Sequence, residues 1–282
     1  MFTHILYHKA CPDGFASAYV AWTVLGDYTE TGELIKYLPV SYYDKTPNIK
    51  NGKILVCDFS FNETETKKLI KNNELYYNID HHITAIENLK SIDHKYKYFD
   101  NNHSGAILTW KYFYPDKEPP VFLKYIEDYD LWKFDYEETR AFNAVLKEIP
   151  YKFSDWIKFN NKEYLDNIIN KGKIIIEYQN SVIKFQLKHV CIRNQTINNK
   201  SLKIAYLNTN FLINEIANTA VNQLDCDFCV IYSYDEKNNF TRFSLRSCDN
   251  KEDVSNIANF LGGGGHRNAS GLTKTGFCNS II

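Results

Sequence analysis

The sequence lacks an excess of either charge and has no long apolar segment. Its 33 lysines and arginines nearly balance 34 aspartates and glutamates, which gives a formal net charge of −1. That balance argues against a long surface for nonspecific duplex binding, because such a surface needs a basic stripe. No apolar run reaches transmembrane length, and Met1 leads directly into a strand pattern rather than a signal peptide. We therefore expect neither a membrane nor a long duplex as a partner.

The sequence also lacks a regular pattern of cysteines. The seven cysteines are odd in number and scattered, so we expect a reducing, cytoplasmic setting rather than a disulfide framework. Cys226 and Cys229 have the C-x-x-C spacing of a zinc site, but they border a strand-like run and no second ligand pair stands nearby. Packing in a strand is therefore favoured over structural zinc there.

Short apolar strands alternate with helices in the N-terminal half. We predict strands at residues 3–7, 34–40, 53–57 and 74–79. This alternation predicts an α/β domain with a doubly wound, mainly parallel sheet. Imidazoles and carboxylates directly follow three of the strands, namely His8, Asp58, Asp80, His81 and His82.

Polar residues at these strand ends form a candidate metal site. Ligands of open α/β sheets bind outside the carboxyl ends of the strands, so we expect these side chains to gather at one edge. Asp13 follows the first strand in the turn that begins a helix; capping of that helix is its alternative role and does not exclude metal binding. Such carboxylate and imidazole donors suit divalent manganese, magnesium or zinc. A hydrogen-bonded loop corner is the alternative for the Asp80-His81-His82 triplet.

Two further segments carry candidate site residues. His103 precedes an apolar helix predicted at 107–114. Asn102 or Ser104 is expected to cap this helix, and the sequence leaves two alternatives for His103, facing the site or lying away from it. Asp128 and Asp130 follow a helix predicted at 121–126 beside Leu131 and Trp132, and surface charge is the alternative for both acids.

The C-terminal half predicts a second, smaller α/β domain. We place the first domain at 1–150, a helical linker at 151–187 and the second domain at 188–282. The second domain contains predicted strands at 189–193 and 203–207, a helix at 212–223, and a hairpin of 228–234 with 240–246.

Four successive glycines, Gly262 to Gly265, precede His266. We predict that this run brings the backbone close to a ligand. A loop leading towards a helix start would offer free N–H groups to phosphate. A flexible linker is the alternative, but the following His-Arg-Asn-Ala-Ser-Gly is not linker composition.

The order of these motifs resembles that of the DHH phosphoesterase superfamily, which includes RecJ exonucleases, oligoribonucleases (nanoRNases), cyclic-dinucleotide phosphodiesterases, exopolyphosphatases and family II pyrophosphatases. The resemblance implies that a first metal is held by His8, Asp13 and Asp58. It implies that Asp58 bridges to a second metal completed by His81 and Asp128. It also implies that His82 faces the substrate while Asp80 orients the site.

One position departs from the pattern of the superfamily. Phe15 stands where its members carry a second carboxylate, and the spacing from His8 to Asp13 is one residue longer than is common. Either the second metal site is weakened, or another acid such as Asp130 fills the place.

The glycine run resembles the GGGH signature of the DHH-associated domain of RecJ-like and nanoRNase-like members. The resemblance implies that His266, Gly264, Gly265 and the strand residue Arg246 bind substrate phosphate, and it favours phosphodiesters over pyrophosphate. We therefore expect a phosphodiesterase that uses one or two divalent ions, Mn²⁺ or else Mg²⁺ or another metal, and acts on short single-stranded oligonucleotides or small nucleotide phosphodiesters. The alternatives are a cyclic-dinucleotide phosphodiesterase, an exopolyphosphatase or a catalytically degenerate nucleotide-binding protein. The sequence is also compatible with a homodimer.

Overall fold

The computed structural model describes residues 1–42 and 44–282, and it divides the chain into two units, Met1–Ile176 and Glu177–Ile282. Five parallel strands form the sheet of the first unit, in the order β2-β1-β3-β4-β5. They are β1 His4–His8, β2 Lys36–Val40, β3 Lys53–Cys57, β4 Leu75–Asp80 and β5 Lys97–Phe99. The prediction of a parallel α/β sheet is confirmed, and β5 is a strand that the apolar pattern did not predict.

The first unit also contains the helices that connect these strands and cover the sheet. They are α1 Pro12–Leu25, α2 Glu63–Asn72, α3 Ile83–Asn88, α4 Gly105–Phe113, α5 Val121–Asp130, α6 Thr139–Leu146, α7 Phe153–Trp156 and the start of α8, Lys162–Leu187. Single 3₁₀ turns lie at His94–Tyr96 and Ile157–Asn160.

Both faces of the sheet are buried, as a doubly wound fold requires. Successive side chains of a strand point to opposite faces. Leu55 accordingly packs against residues of α1 and α4 on one face, while Ile54 and Val56 pack on the other face with Leu69 of α2. This two-sided burial explains why the strands are continuous apolar runs rather than alternating ones.

The predicted linker at 151–187 requires correction. Trp156, Phe159, Leu165 and Ile168 are buried in the same core cluster as α1, α4 and α5. The aromatic side chains of this segment find apolar partners in the first unit, so the segment up to Ile176 is part of that unit. The division between the units falls inside α8.

The second unit contains a six-stranded sheet in the order β10-β11-β9-β8-β7-β6, in which only β7 and β8 pair in parallel. Its strands are β6 Cys191–Ile197, β7 Lys200–Asn208, β8 Phe228–Asp235, β9 Phe240–Arg246, β10 Gly264–His266 and β11 Ala269–Thr275. Its own helices are α9 Ile213–Gln223 and α10 Val254–Phe260. The predicted hairpin of β8 and β9 is present, and the second α/β domain is confirmed.

We predicted that the glycine run leads towards the start of a helix. In the structure it instead follows the end of helix α10. Gly262, with φ of +82°, and the bond from Gly263 N to Ala258 O close the C-terminal end of α10. Gly265 then lies in β10 with φ of +140°, where a Cβ atom would lie 2.5 Å from the Cα atom of Ser270. The close pairing of β10 with β11 therefore explains Gly265.

Among the residues outside position 43, no helix is both long and apolar enough to cross a membrane.

Candidate metal centre

Three neighbouring strands of the first unit end in imidazoles and carboxylates. His8 is the last residue of β1, Asp58 follows β3, and Asp80 is the last residue of β4. Because β1, β3 and β4 are adjacent and parallel, their carboxyl ends bring these side chains to one edge of the sheet. The predicted gathering of these residues is thus present in the structure.

Asp58 lies at the centre of this cluster. Its side chain is 1% exposed, and neither carboxylate oxygen has a hydrogen-bond partner among the described residues. The nearest imidazole nitrogens are His81 Nε2, 3.1 Å from Oδ1, and His8 Nδ1, 3.6 Å from Oδ2. Burial alone would raise the pKa of Asp58, yet these two imidazoles hold that pKa below its usual value. An ionised, buried carboxylate without hydrogen bonds is a costly arrangement unless a cation neutralises it.

Asp13 joins the cluster from the first turn of α1, but it caps another helix. Its Oδ2 accepts from Gly105 N at 2.6 Å and its Oδ1 accepts from Ala106 N at 3.0 Å, so it satisfies the first N–H groups of α4. The close approach of α4 requires glycine, because a Cβ at Gly105 would lie 2.5 Å from the Cβ atom of Asp58. Burial and the charges of Asp58 and Asp130 raise the pKa of Asp13 well above its usual value.

His81 is the point at which three carboxylates converge. Its Nε2 lies 3.1 Å from Asp58 Oδ1, 3.6 Å from Asp130 Oδ2 and 3.8 Å from Asp13 Oδ2. Burial opposes protonation, but the carboxylates of Asp58 and Asp13 raise the pKa of this imidazole to about 10. Burial and the charge of Asp58 raise the pKa of Asp130 to about 6. This convergence of negative charge on one donor nitrogen is suited to a divalent cation.

Asp128, which the sequence predicted as a metal ligand, is not part of any of these clusters. Its Oδ1 accepts from Asp135 N at 2.8 Å, and its Oδ2 accepts from Tyr136 N at 3.2 Å and from the Thr139 hydroxyl. Residues two apart on a helix point about 200° from each other, so only one of the two acids on this turn of α5 can face the strand ends. Asp130 faces them, and Asp128 organises the loop that follows the helix.

Phe15, which occupies the position of the missing carboxylate, faces the core. Its ring is 2% exposed and lies within 4.8–5.8 Å of the rings of Tyr7, Tyr151, Phe153 and Trp156. Phe15 therefore contributes no ligand to the cluster, and Asp130 supplies the additional carboxylate there.

His82 is held by a chain of hydrogen bonds. Its Nδ1 lies 2.7 Å from Asp80 Oδ1, and the other oxygen of Asp80 accepts from Ser60 Oγ at 2.6 Å. Asn78 in turn donates to Ser60 Oγ at 2.9 Å. Burial opposes protonation of His82, but the Asp80 carboxylate raises the pKa of its ring above the usual value. Such partners fix the ring orientation and leave Nε2 as the nitrogen that can act on a ligand. Sequence reasoning missed Ser60 and Asn78, although Ser60 lies only two residues beyond Asp58.

His103 lies beside the N-terminus of α4, where Ser104 is the cap. Its Nδ1 lies 2.8 Å from Glu127 Oε1 and its Nε2 lies 2.7 Å from Lys111 Nζ. Both ring nitrogens of His103 are thus engaged by other side chains. Lys111, which sequence reasoning also missed, is the positively charged residue beside His103.

The donor atoms of the cluster fit divalent metal ions. Three sets of described side chains place their ligand atoms within 4.8 Å of one another: Asp58, Asp80, His81 and His82; His8, Cys11 and Asp58; and Asp13, His81 and Asp130. Asp58 and His81 each belong to two of the sets, as bridging residues of neighbouring ion positions would. The oxygens of Asp58 and Nδ1 of His8 have no hydrogen-bond partner among the described residues, which leaves them available as donors to an ion.

In the second unit, the predicted phosphate ligands lie in one row across the sheet. His266 is opposite Ala269, which is opposite Arg246. Directly opposite residues point to the same face, so His266 and Arg246 share a face, with the small Ala269 between them. Arg246 Nε and Nη2 both donate to Asn214 Oδ1 of α9, at 3.1 and 2.7 Å, which fixes the guanidinium.

Comparisons with known proteins agree with this architecture. No protein-family model matches the sequence. The uncharacterized protein R106 of Acanthamoeba polyphaga mimivirus is 33% identical over 285 residues, which cover 96% of this chain and 67% of that protein. The chain belongs to the family of R106. The solved structure of the pGpG-specific phosphodiesterase PggH of Vibrio cholerae matches with a TM-score of 0.57 at 12% identity, over 96% of this chain and 93% of that chain.

An exopolyphosphatase-related protein of Bacteroides fragilis matches with a TM-score of 0.53 at 15% identity, over 99% of this chain and 87% of that chain. These matches show that this member of the R106 family shares the fold of these two structures. The expected resemblance is therefore confirmed at the level of the fold.

Proposed function

We propose that this chain is a metal-dependent phosphodiesterase that hydrolyses short oligonucleotides or small nucleotide phosphodiesters. The observation that carries the proposal is the buried Asp58 at the edge of a DHH fold. It lies between the imidazoles of His8 and His81, and neither of its oxygens has a hydrogen-bond partner among the described residues. Two solved proteins with this fold are described as a pGpG-specific phosphodiesterase and as an exopolyphosphatase-related protein, which supports phosphorus chemistry here.

The metal would be Mn²⁺, or else Mg²⁺ or another divalent ion, bound as one or two ions. Its protein ligands in the first unit would be His8, Asp13, Asp58, His81 and Asp130. When bound, such an ion acts as a Lewis acid that polarises the phosphoryl group and makes water a better nucleophile.

The chain itself supplies an oriented proton donor. Asp80 holds His82 through Nδ1 and raises the pKa of its ring, which favours the imidazolium form with a proton on Nε2. From there it donates to a phosphoryl oxygen or to the leaving group, as general acids of this kind do.

The second unit would grip the substrate phosphate. Strands lie about 4.8 Å apart, so His266 and Arg246 stand roughly 10 Å apart across Ala269, within reach of one phosphate or two neighbouring ones. The exposed edge strand with Gly264 and Gly265 would line this position. Because the net charge is only −1, we infer that the substrate is short rather than a long duplex.

The test is hydrolysis of a labelled dinucleotide, a five-residue oligonucleotide, a cyclic dinucleotide and polyphosphate, each with Mn²⁺. Asp58→Asn is the diagnostic variant, because asparagine keeps the shape of the side chain and tolerates the φ of +54° at this position. Asp116→Asn, in an exposed turn of the same unit, is the matched control. We expect turnover by the native protein and the control and none by Asp58→Asn.

The pattern of products decides between the alternatives. Cleavage of the cyclic dinucleotide or of polyphosphate alone would replace the proposed substrate class while keeping the metal centre. Nucleotide binding without any turnover would show a degenerate binding protein. Full activity of Asp58→Asn would refute the metal centre itself.

A further inference from the structure

The turn between β1 and α1 brings a thiol to the metal centre. The Cys11 sulfur, a ring nitrogen of His8 and a carboxylate oxygen of Asp58 lie within 4.8 Å of one another. Three donors bound to one ion at about 2.0–2.3 Å lie roughly 3.3–4.0 Å apart in tetrahedral or trigonal geometry, so a contraction of at most about 1.5 Å would bring all three onto one ion.

The partners of Cys11 in this set point independently to a ligand. The Asp58 side chain is 1% exposed, and both of its oxygens lack a hydrogen-bond partner among the described residues, as does Nδ1 of His8. Buried polar atoms of native proteins are paired in the great majority of cases. Two of the three donors are therefore buried and unsatisfied next to the thiol.

The turn between β1 and α1 also lacks a second carboxylate. Phe15 occupies the position of a second carboxylate and packs into the aromatic core between Tyr151 and Phe153. Asp130 contributes on the side of Asp13 and His81, and no carboxylate of the described chain other than Asp58 joins His8 in its set.

We propose that Cys11 is a thiolate ligand of the metal beside His8 and Asp58, and that it biases this position towards thiophilic divalent ions. The proposal rests on the metal centre of the proposed function. On binding, the S–H bond breaks, its proton passes to solvent, and the sulfur donates an electron pair to the ion, with no change of oxidation state. Thiolate ligands select zinc or other thiophilic ions, whereas carboxylates and water suit Mg²⁺ and Mn²⁺. Cys11 would thus distinguish this position from an all-oxygen and imidazole site.

The test is the near-ultraviolet absorption of the full chain titrated with Co²⁺, in which a bound thiolate gives a sulfur-to-cobalt charge-transfer band. Cys11→Ser removes the thiolate with little change of size. Cys226→Ser is the matched control, because Cys226 and Cys229 form the one C-x-x-C spacing in the sequence. We expect the band in the native protein and in Cys226→Ser, and its loss in Cys11→Ser.

Calorimetry of the same proteins gives the affinity. We expect Cys11→Ser to bind Co²⁺ or Zn²⁺ more weakly, by at least the roughly tenfold that loss of an outer-shell partner costs a metal site. Cys11→Asp should lower the ratio of Zn²⁺ to Mn²⁺ affinity, because a carboxylate replaces the sulfur. Circular dichroism shows whether each variant is folded, and Cys11→Asp keeps the proposal testable if Cys11→Ser is not.

Two results would overturn the proposal, namely Co²⁺ binding to the native protein without the band, and a band that persists in Cys11→Ser. Hydrolysis measured with Mn²⁺ separates this outcome from failure of the proposed function. Turnover without a thiolate band refutes Cys11 as a ligand and leaves the phosphodiesterase intact. A thiolate band without turnover on any substrate supports the ligand and refutes the phosphodiesterase.

Discussion

Exchanging each acid at the end of α5 for its amide should separate a structural carboxylate from a metal ligand. Asp128 is 2% exposed and accepts three hydrogen bonds, two from backbone N–H groups and one from the Thr139 hydroxyl. An asparagine keeps one acceptor oxygen and turns an NH₂ group towards the remaining donors. Hydrogen bonds to charged groups contribute roughly 1.5–3 kcal/mol each, so Asp128→Asn should lower the free energy of unfolding by about 2–5 kcal/mol.

Asp130→Asn should have the opposite profile. The Asp130 side chain is 28% exposed, and its closest charged partner is His81 Nε2 at 3.6 Å. Its removal also relieves repulsion with Asp58, so the unfolding free energy should not fall. At neutral pH it should rise by up to about 3 kcal/mol, because ionising a carboxyl whose pKa is raised from 3.8 to about 6 opposes folding. Metal affinity should fall by at least roughly tenfold, because losing even an outer-shell partner costs that much.

The assay combines urea denaturation of the chelated protein with calorimetric titration of Mn²⁺ on the folded variants. Asp116→Asn is the control for both measurements and should match the native protein. The reasoning is refuted if Asp128→Asn is as stable as the native protein but has lost metal affinity, while Asp130→Asn binds Mn²⁺ normally. That result would mean that α5 turns Asp128 towards the strand ends.

Three further outcomes follow from the geometry of the site. The pKa of Asp130 in the folded state is about 6, above the usual 3.8, so between these values the metal-free native state binds more protons than the unfolded state and its stability should fall as pH rises from 4 to 6. Asp130→Asn should flatten that fall in urea titrations of the chelated protein. An unchanged pH profile of stability would contradict the pKa shift. Asp80→Asn, which loosens His82, should reduce kcat by roughly 10²–10⁴-fold with Mn²⁺ affinity nearly retained, and a loss confined to KM would argue against an oriented proton donor. Gly105→Ala should cost about 1–3 kcal/mol of unfolding free energy through its clash with Asp58, and a variant with native stability in thermal denaturation would show that α4 can move away.

The sequence alone was sufficient for the sheet and for most of the centre. Apolar runs ending in His8, Asp58 and Asp80 predicted parallel strands that meet at one edge, because side-chain burial on both faces leaves a strand few polar positions except at its ends. Those local patterns need no knowledge of distant contacts, and the structure has the strands within two residues of the predicted ends.

Only the tertiary structure decided which residues of a short segment face the centre. Asp128 and Asp130 are equivalent acids in the sequence, and the rotation of α5, set by the packing of its apolar side against the core, turns Asp130 to His81 and Asp128 to the following loop. The glycine run likewise looked like a phosphate loop, but its pairing with β11 depends on a strand that follows it in the chain. Helix rotation and strand pairing are set by long-range packing, which the residue pattern of a single segment does not contain.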